Sequence, residues 1–214
     1  YEANERGLPQ GAAALRPHLE AVAEAAQDAG LEDAGALWNN LGSHLQDVAD
    51  YAGARACYGR ALRIDEAAFG PEHPEVATRV NNLGRVLQDL GDLEGARAHF
   101  ERALRIDEAA FGPEHPNVAR DVNNLGSVLR DLGDLAGARA HFERALRIDE
   151  AAFGPEHPNV AIRVNNLGMV LRDLGDLAGA RACYERALRI FEKFLPPEHP
   201  NIRTVRGNLQ ALKE

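Results

Sequence analysis

The chain is 214 residues long, 45% hydrophobic and 27% charged, a globular composition that excludes an intrinsically disordered polymer. Its 24 basic and 33 acidic residues give a formal charge of −9, which repels a phosphate backbone and sets nucleic acid aside as a partner. No apolar run approaches the roughly 18 residues of a membrane span, and no basic-then-apolar signal segment is present, so neither a membrane partner nor export is expected.

In chain order, residues 1–33 read as a degenerate N-terminal half repeat or cap. The stretch from Glu5 onward, ERGLPQGAAALRPHLEAVAEAA, carries the end of a first helix, a turn and a degenerate second helix. Only a stub of its own first helix remains, in residues 1–6. Pro17 is expected in the first turn of the second helix or at a small kink. With Tyr1 in place of a methionine, the chain reads as cut from something longer. A 42-residue unit then recurs: repeat one over 34–75, two over 76–117, three over 118–159 and four over 160–195. Repeats two and three differ at only five positions. A fixed period of this size marks a stacked-repeat architecture, one continuous domain in which each unit rests on its neighbours. Residues 196–214 read as a lone capping helix, with Asn208-Leu209 in the place of Asn166-Leu167 but Arg206 replacing the apolar Val164.

Within repeat two, Val76, Val80, Leu83, Leu87 and Leu90 fall at helical spacing. Pro74 suits the first turn of that helix. Gly91 suits the left-handed residue that ends it, and Asp92 can cap the next helix. The second helix places Ala96, Phe100, Ala103 and Leu104 on one face, and Gly112-Pro113 stops it. Each repeat is therefore helix A, a tight turn, helix B and a short loop. Gly84 and Ala103 sit where the two helices approach most closely, and stacking is needed to bury either apolar stripe.

Leu83-Gly84 in helix A, with Ala96, Phe100 and Ala103 in helix B and equivalents in every copy, resembles the tetratricopeptide repeat; repeat one keeps a tryptophan, Trp38. The 42-residue length, the NNLG of helix A and the GPEHP loop resemble the kinesin-light-chain subtype. That subtype also occurs in bacterial signalling proteins behind a nucleotide-binding switch module. The resemblance implies an all-α, right-handed α-solenoid whose helix A positions line a concave groove.

Counting 100° per residue from Val80, Thr78, Asn81, Arg85 and Gln88 fall together at about 80–160°, apart from the apolar face. Across repeats the stripe gives four rows: Asn39, Asn81, Asn123, Asn165; Ser43, Arg85, Ser127, Met169; Gln46, Gln88, Arg130, Arg172; and Ala36, Thr78, Arg120, Ile162. Three of the five differences between repeats two and three lie on it. If it lines the groove, an asparagine ladder holds a peptide's N–H and C=O. Arg85, Arg120, Arg130 and Arg172 then favour acidic side chains, and Ile162 and Met169 form an apolar pocket. The alternative is that asparagines bond between adjacent helices. Angle assigns the first asparagine to the groove and the second (Asn40, Asn82, Asn124, Asn166) inward. Asp89, Asp131 and Asp173, at the stripe's edge, are placed to blunt its positive charge.

Other repeated residues have structural readings. His73, His115, His157 and His199 lie a full repeat apart and cannot converge on one ion, so no metal and no cofactor is expected. His99 and His141 fail likewise. Arg97, Arg102, Arg105, Asp107 and Glu108 read as a solvated face with ion pairs to Glu101 and its equivalents. Cys57 and Cys183 occupy the same position of repeats one and four. Packed helices at about 8–10 Å each keep them beyond disulfide reach, giving two buried free thiols in a reducing cytoplasm. No nucleophile has a histidine–acid pair, and no enzyme is expected. The expected role is a protein–protein interaction module binding a peptide or extended segment, acidic with apolar anchors. The alternatives are a sensor domain of a larger bacterial signalling NTPase and a self-assembling scaffold.

Overall fold

A computed structural model describes residues 10–31 and 33–212; the expected helix stub in residues 1–6 lies outside them. Among the described residues there are ten α-helices and no strand. Helix B positions are α1 (Gln10–Asp28), α3 (Tyr51–Phe69), α5 (Leu93–Phe111), α7 (Leu135–Phe153) and α9 (Leu177–Phe194). Helix A positions are α2 (Ala34–Asp47), α4 (Pro74–Asp89), α6 (Pro116–Asp131), α8 (Pro158–Asp173) and α10 (Pro200–Gln210). Pro17 falls well inside α1, beyond the first turn that would have spared a hydrogen bond.

Local chemistry explains the helix ends. Each helix A from α4 onward starts with proline, behind a histidine whose Nδ1 accepts the backbone N–H two residues on. For His73 and Glu75 the distance is 3.2 Å, and for His115 and Asn117 it is 3.1 Å. Phe69, Phe111 and Phe153 stack on three of these rings with centroids 4.6–5.0 Å apart. The recurring loop histidine is thus a capping residue. At the A-to-B turns, the carboxylates of Asp50, Asp92, Asp134 and Asp176 accept from the N–H of Gly53, Gly95, Gly137 and Gly179 at 2.9–3.0 Å. Just before them, Gly91, Gly133 and Gly175 hold φ of 81° to 87°, and Ala49 fills the same place in repeat one at φ 61°.

The chain divides into two compact units, residues 1–106 and 107–214. In the first, Trp38, Leu41, Leu45, Ala54, Tyr58 and Ala61 join α2 to α3. Leu62, Val76, Ala77, Val80, Ala103 and Ile106 continue the core through α4 and α5. In the second, Val122, Phe142, Ala145 and Ile148 are buried in α6 and α7. Val160, Val164, Tyr184, Ile190, Phe191, Ile202 and Val205 knit α8, α9 and α10 together. Both units are all-α stacks of helix pairs, each bringing the small residue of helix A against the ring of helix B. A Cβ on Gly84 would lie 2.7 Å from the Phe100 ring, and one on Gly168 would lie 2.7 Å from Tyr184.

Candidate functional site

In the first unit, Asn39 is half-buried and its Oδ1 accepts from Asn82 Nδ2 at 2.7 Å, while Asn81 is 2% exposed. In the second, Asn123 and Asn165 are 7% and 8% exposed. Their Oδ1 atoms accept from Asn166 and Asn208, each at 2.9 Å. The first asparagine of one helix A therefore receives the second asparagine of the next. This corrects the expectation of a ladder of free amides: these acceptors are used between helices, as the alternative reading has it. Angle around a lone helix A omits the neighbouring helix A, which covers that flank. Asn165 Nδ2 retains only long contacts, 3.4 Å to Asn166 Oδ1 and 3.7 Å to Met169 Sδ.

The remaining stripe residues divide by partner. Arg85 is exposed and makes no ion pair among the described residues. Gln88 is half-buried, and Gln46 accepts from Tyr58 Oη at 3.1 Å while donating to Asp89 at 2.6 Å. Arg130 and Arg172 share Asp173, at 2.7 and 3.0 Å. Partial burial opposes ionisation of Asp173, but the hydrogen bonds from Arg130 and Arg172 outweigh it and hold the carboxyl below its usual range. Asp173 thus partly neutralises both guanidiniums, as its edge position implied. Met169 is half-buried against the α8–α10 core.

Arg120 is held by two acids, Asp107 at 3.2 Å and Asp121 at 3.0 Å. Both carboxyl groups are fully buried, which corrects the placement of Asp107 on a solvated face. Burial, opposed by the Asp121 hydrogen bond and the Arg120 charge, raises the Asp107 pKa. At the same helix B position, buried Asp65 and Asp149 pair with Arg79 and Arg163 at 2.6 and 2.8 Å. These inward acids escaped sequence reading because helix B was judged as an isolated amphipathic helix. The helical spacing of Asp65 from the apolar Ala61 and Leu62 was the available signal. The outer ion pairs are as expected in kind, with Arg97–Glu101 at 2.9 Å along one helix and Arg144–Glu108 at 2.6 Å between helices.

At the last junction the buried acid–arginine pair is gone, and among the described residues only an exposed pair, Arg206–Glu192 at 2.8 Å, joins α9 to α10. Phe191 takes the place of Asp149, and Val205 that of Arg163. A cleft of about 210 Å³ opens there, lined by Ile162, Asn165, Asn166, Phe191, Asn201, Thr204 and Val205. Sequence reasoning anticipated Ile162 but not the α10 side.

Neither thiol suits nucleophilic chemistry. Burial pushes Cys57 up to about 11, and burial also raises Cys183, which is half-buried and not fully buried as expected. Both are free. Among the described residues no three metal-binding side chains cluster, and no helix is long and apolar enough to cross a membrane.

Comparison with known proteins agrees with this architecture. No curated protein matches the sequence. Among solved structures, BtubC (BKLC) from P. vanneervenii superposes with a TM-score of 0.72 at 22% identity, over 94% of this chain and 80% of that one. A putative kinesin light chain with nearly identical TPR-like repeats from Podosopora anserina gives 0.67 at 20% identity, over 82% and 83% of the two chains. A single-substitution variant of that protein gives 0.69 at 20%, over 85% and 87%. These likenesses show the fold, an α-solenoid of kinesin-light-chain-like repeats. The tetratricopeptide repeat model matches residues 33–109, 77–150, 121–193 and 161–209, and the chain belongs to the tetratricopeptide repeat family.

Proposed function

We propose that the helix A face within each unit binds a peptide or an extended segment of a partner protein, with acidic residues beside apolar anchors. Tetratricopeptide repeats are in general protein–protein interaction modules and non-enzymatic scaffolds. The observation that carries the finer reading is the contrast along the stripe. Its asparagines are committed to the scaffold, while Arg85, Ser43 and Ile162 in the adjoining rows are exposed. Arg85 offers a guanidinium with no acid holding it among the described residues, which favours an acidic side chain, and Arg172 stands in the next row, half-exposed beside Asp173. Gln88, Arg120 and Met169 border these groups as half-exposed supports. Asn39, Asn81, Asn123 and Asn165 act in this scheme by setting helix spacing, with only their amide edges toward a ligand.

The test is selection of peptides from a random display library on the intact chain. Selected sequences are expected to be acidic, and Arg85→Glu should weaken them about tenfold without shifting the melting curve. If the selected peptides bind Arg85→Glu and Arg172→Glu as tightly as the unmodified chain, the helix A face is not where they sit.

A further inference from the structure

In the packing of α10 on α8 and α9, the buried acid–arginine pair of the earlier junctions is absent, and among the described residues only the exposed Arg206–Glu192 pair remains. Where Asp65–Arg79 and Asp149–Arg163 fill the space between successive hairpins, Phe191 and Val205 meet without a long side chain to occupy the inner flank. Beside them lies the 210 Å³ cleft, lined chiefly by residues of the helix A elements α8 and α10. Its floor is Phe191 and Val205, nearly closed to water, and its lip is Ile162, at 37% exposure. Around that lip stand Asn201 and Thr204, neutral groups able to donate and accept, and Asn166, whose Nδ2 already donates to Asn123. Among the described residues no charged side chain lines the cleft, in a chain where more than a quarter of residues are charged.

We propose that this cleft is a subsite for one uncharged apolar side chain, of leucine, methionine or phenylalanine size, carried by an extended peptide whose backbone lies across Asn201 and Thr204. The subsite rests on the helix A reading and assigns it an anchor position. Two features select the occupant. A charged side chain entering would lose its hydration with no counter-ion to meet it. An apolar side chain would cover the exposed face of Ile162 and the small opening onto Phe191 and Val205. The Asn201 amide and the Thr204 hydroxyl beside it match the N–H and C=O of a peptide backbone. Ile162 shares a row with Arg120 and Thr204, so the anchor would lie in line with the charged part of the stripe.

The test uses blocked amino acids as probes: N-acetyl-leucine N-methylamide, with the alanine and glutamate analogues as controls. The intact chain is labelled at isoleucine and valine methyl groups. The leucine probe is expected to shift the Ile162 and Val205 methyls saturably, with the alanine and glutamate probes weaker by about tenfold or more. The double variant Phe191→Asp/Val205→Arg copies the Asp65–Arg79 junction, fills the cleft, and should abolish the response. Ile162→Arg, which copies Arg120 on an exposed site, should do the same without touching the core. Equal response to leucine and glutamate probes, no saturable response, or an undiminished response in folded Ile162→Arg would overturn the subsite. Peptide selection separates the two readings. Peptides that bind the chain but not through the cleft would be unaffected by Ile162→Arg. Failure to select any peptide would strike the broader reading while the probe titration still decides the subsite.

Discussion

Asp107 and Asp121 place two fully buried carboxyl groups beside one half-exposed guanidinium, Arg120. One oxygen of each acid has no hydrogen-bond partner. Burial raises the pKa of Asp107 in the folded chain, so folding holds that proton more tightly than the unfolded chain does. Its stabilising contribution is complete below the ordinary carboxylate range and is lost as pH rises through the folded value. Asp107→Asn keeps an acceptor for Arg120 and offers an amide N–H to Asp121 with no proton to lose. The variant is expected to melt higher than the unmodified chain, by a margin that grows between about pH 4 and 7. A margin that stays constant over that range would show that the pair does not titrate. The asparagines give a second residue-scale expectation. Asn165→Ala leaves the Asn208 amide without its acceptor and should cost about 1 kcal/mol of stability. A melting curve unchanged by Asn165→Ala would return Asn165 to a purely ligand-facing role.

The helix ends show how a repeat corrects for its own conformational demands. Gly91, Gly133 and Gly175 end their helices with positive φ, a conformation that costs an L-residue about 1–2 kcal/mol. Ala49 occupies that position at φ 61° and still makes the closing bond, with Asp50 N–H donating to Leu45 O at 2.8 Å. Ala49→Gly should therefore raise stability by about 0.5–1 kcal/mol, net of the entropy glycine loses on folding. A lower melting temperature for Ala49→Gly would mean that the alanine methyl makes a compensating contact. The converse applies at the A–B contact. A methyl on Gly84 meets a fully buried Phe100 at 2.7 Å, so Gly84→Ala should cost about 1–3 kcal/mol by overpacking. These elements were legible in the sequence because each depends on a residue type at a fixed offset: proline at the first helical turn, aspartate before helix B, glycine after helix A. The asparagine pairing and the inward Asp65, Asp107 and Asp149 were not, because both depend on a neighbouring helix that a single-helix projection leaves out. Ala49 was readable by aligning it with Gly91, and the cleft by aligning Phe191 with Asp149.

At the scale of the whole chain, stacked repeats make stability a sum of the helix pairs and the local interfaces between them, since each hairpin packs on its sequence neighbours. The second unit offers a direct case. Ile202 and Val205 of α10 are buried against Val160, Ala161 and Val164 of α8 and against Phe191 of α9. Ile202→Ala removes three methyl-sized groups from a position with no exposure and should cost about 2–4 kcal/mol. That loss belongs to the interface that Ile202 helps to form. Amide hydrogen exchange should accordingly accelerate in α8, α9 and α10, while protection in α2, α3 and α4 stays near that of the unmodified chain. The same argument governs the two aspects of the helix A face. Asparagine changes should move protection on both sides of one junction, because each amide pair bridges two hairpins. Arg85→Glu should move none, because that side chain holds no ion pair to a neighbouring hairpin among the described residues. If Ile202→Ala lowers protection by the same factor throughout, the repeats unfold as one cooperative block, and the additive account of their stability fails.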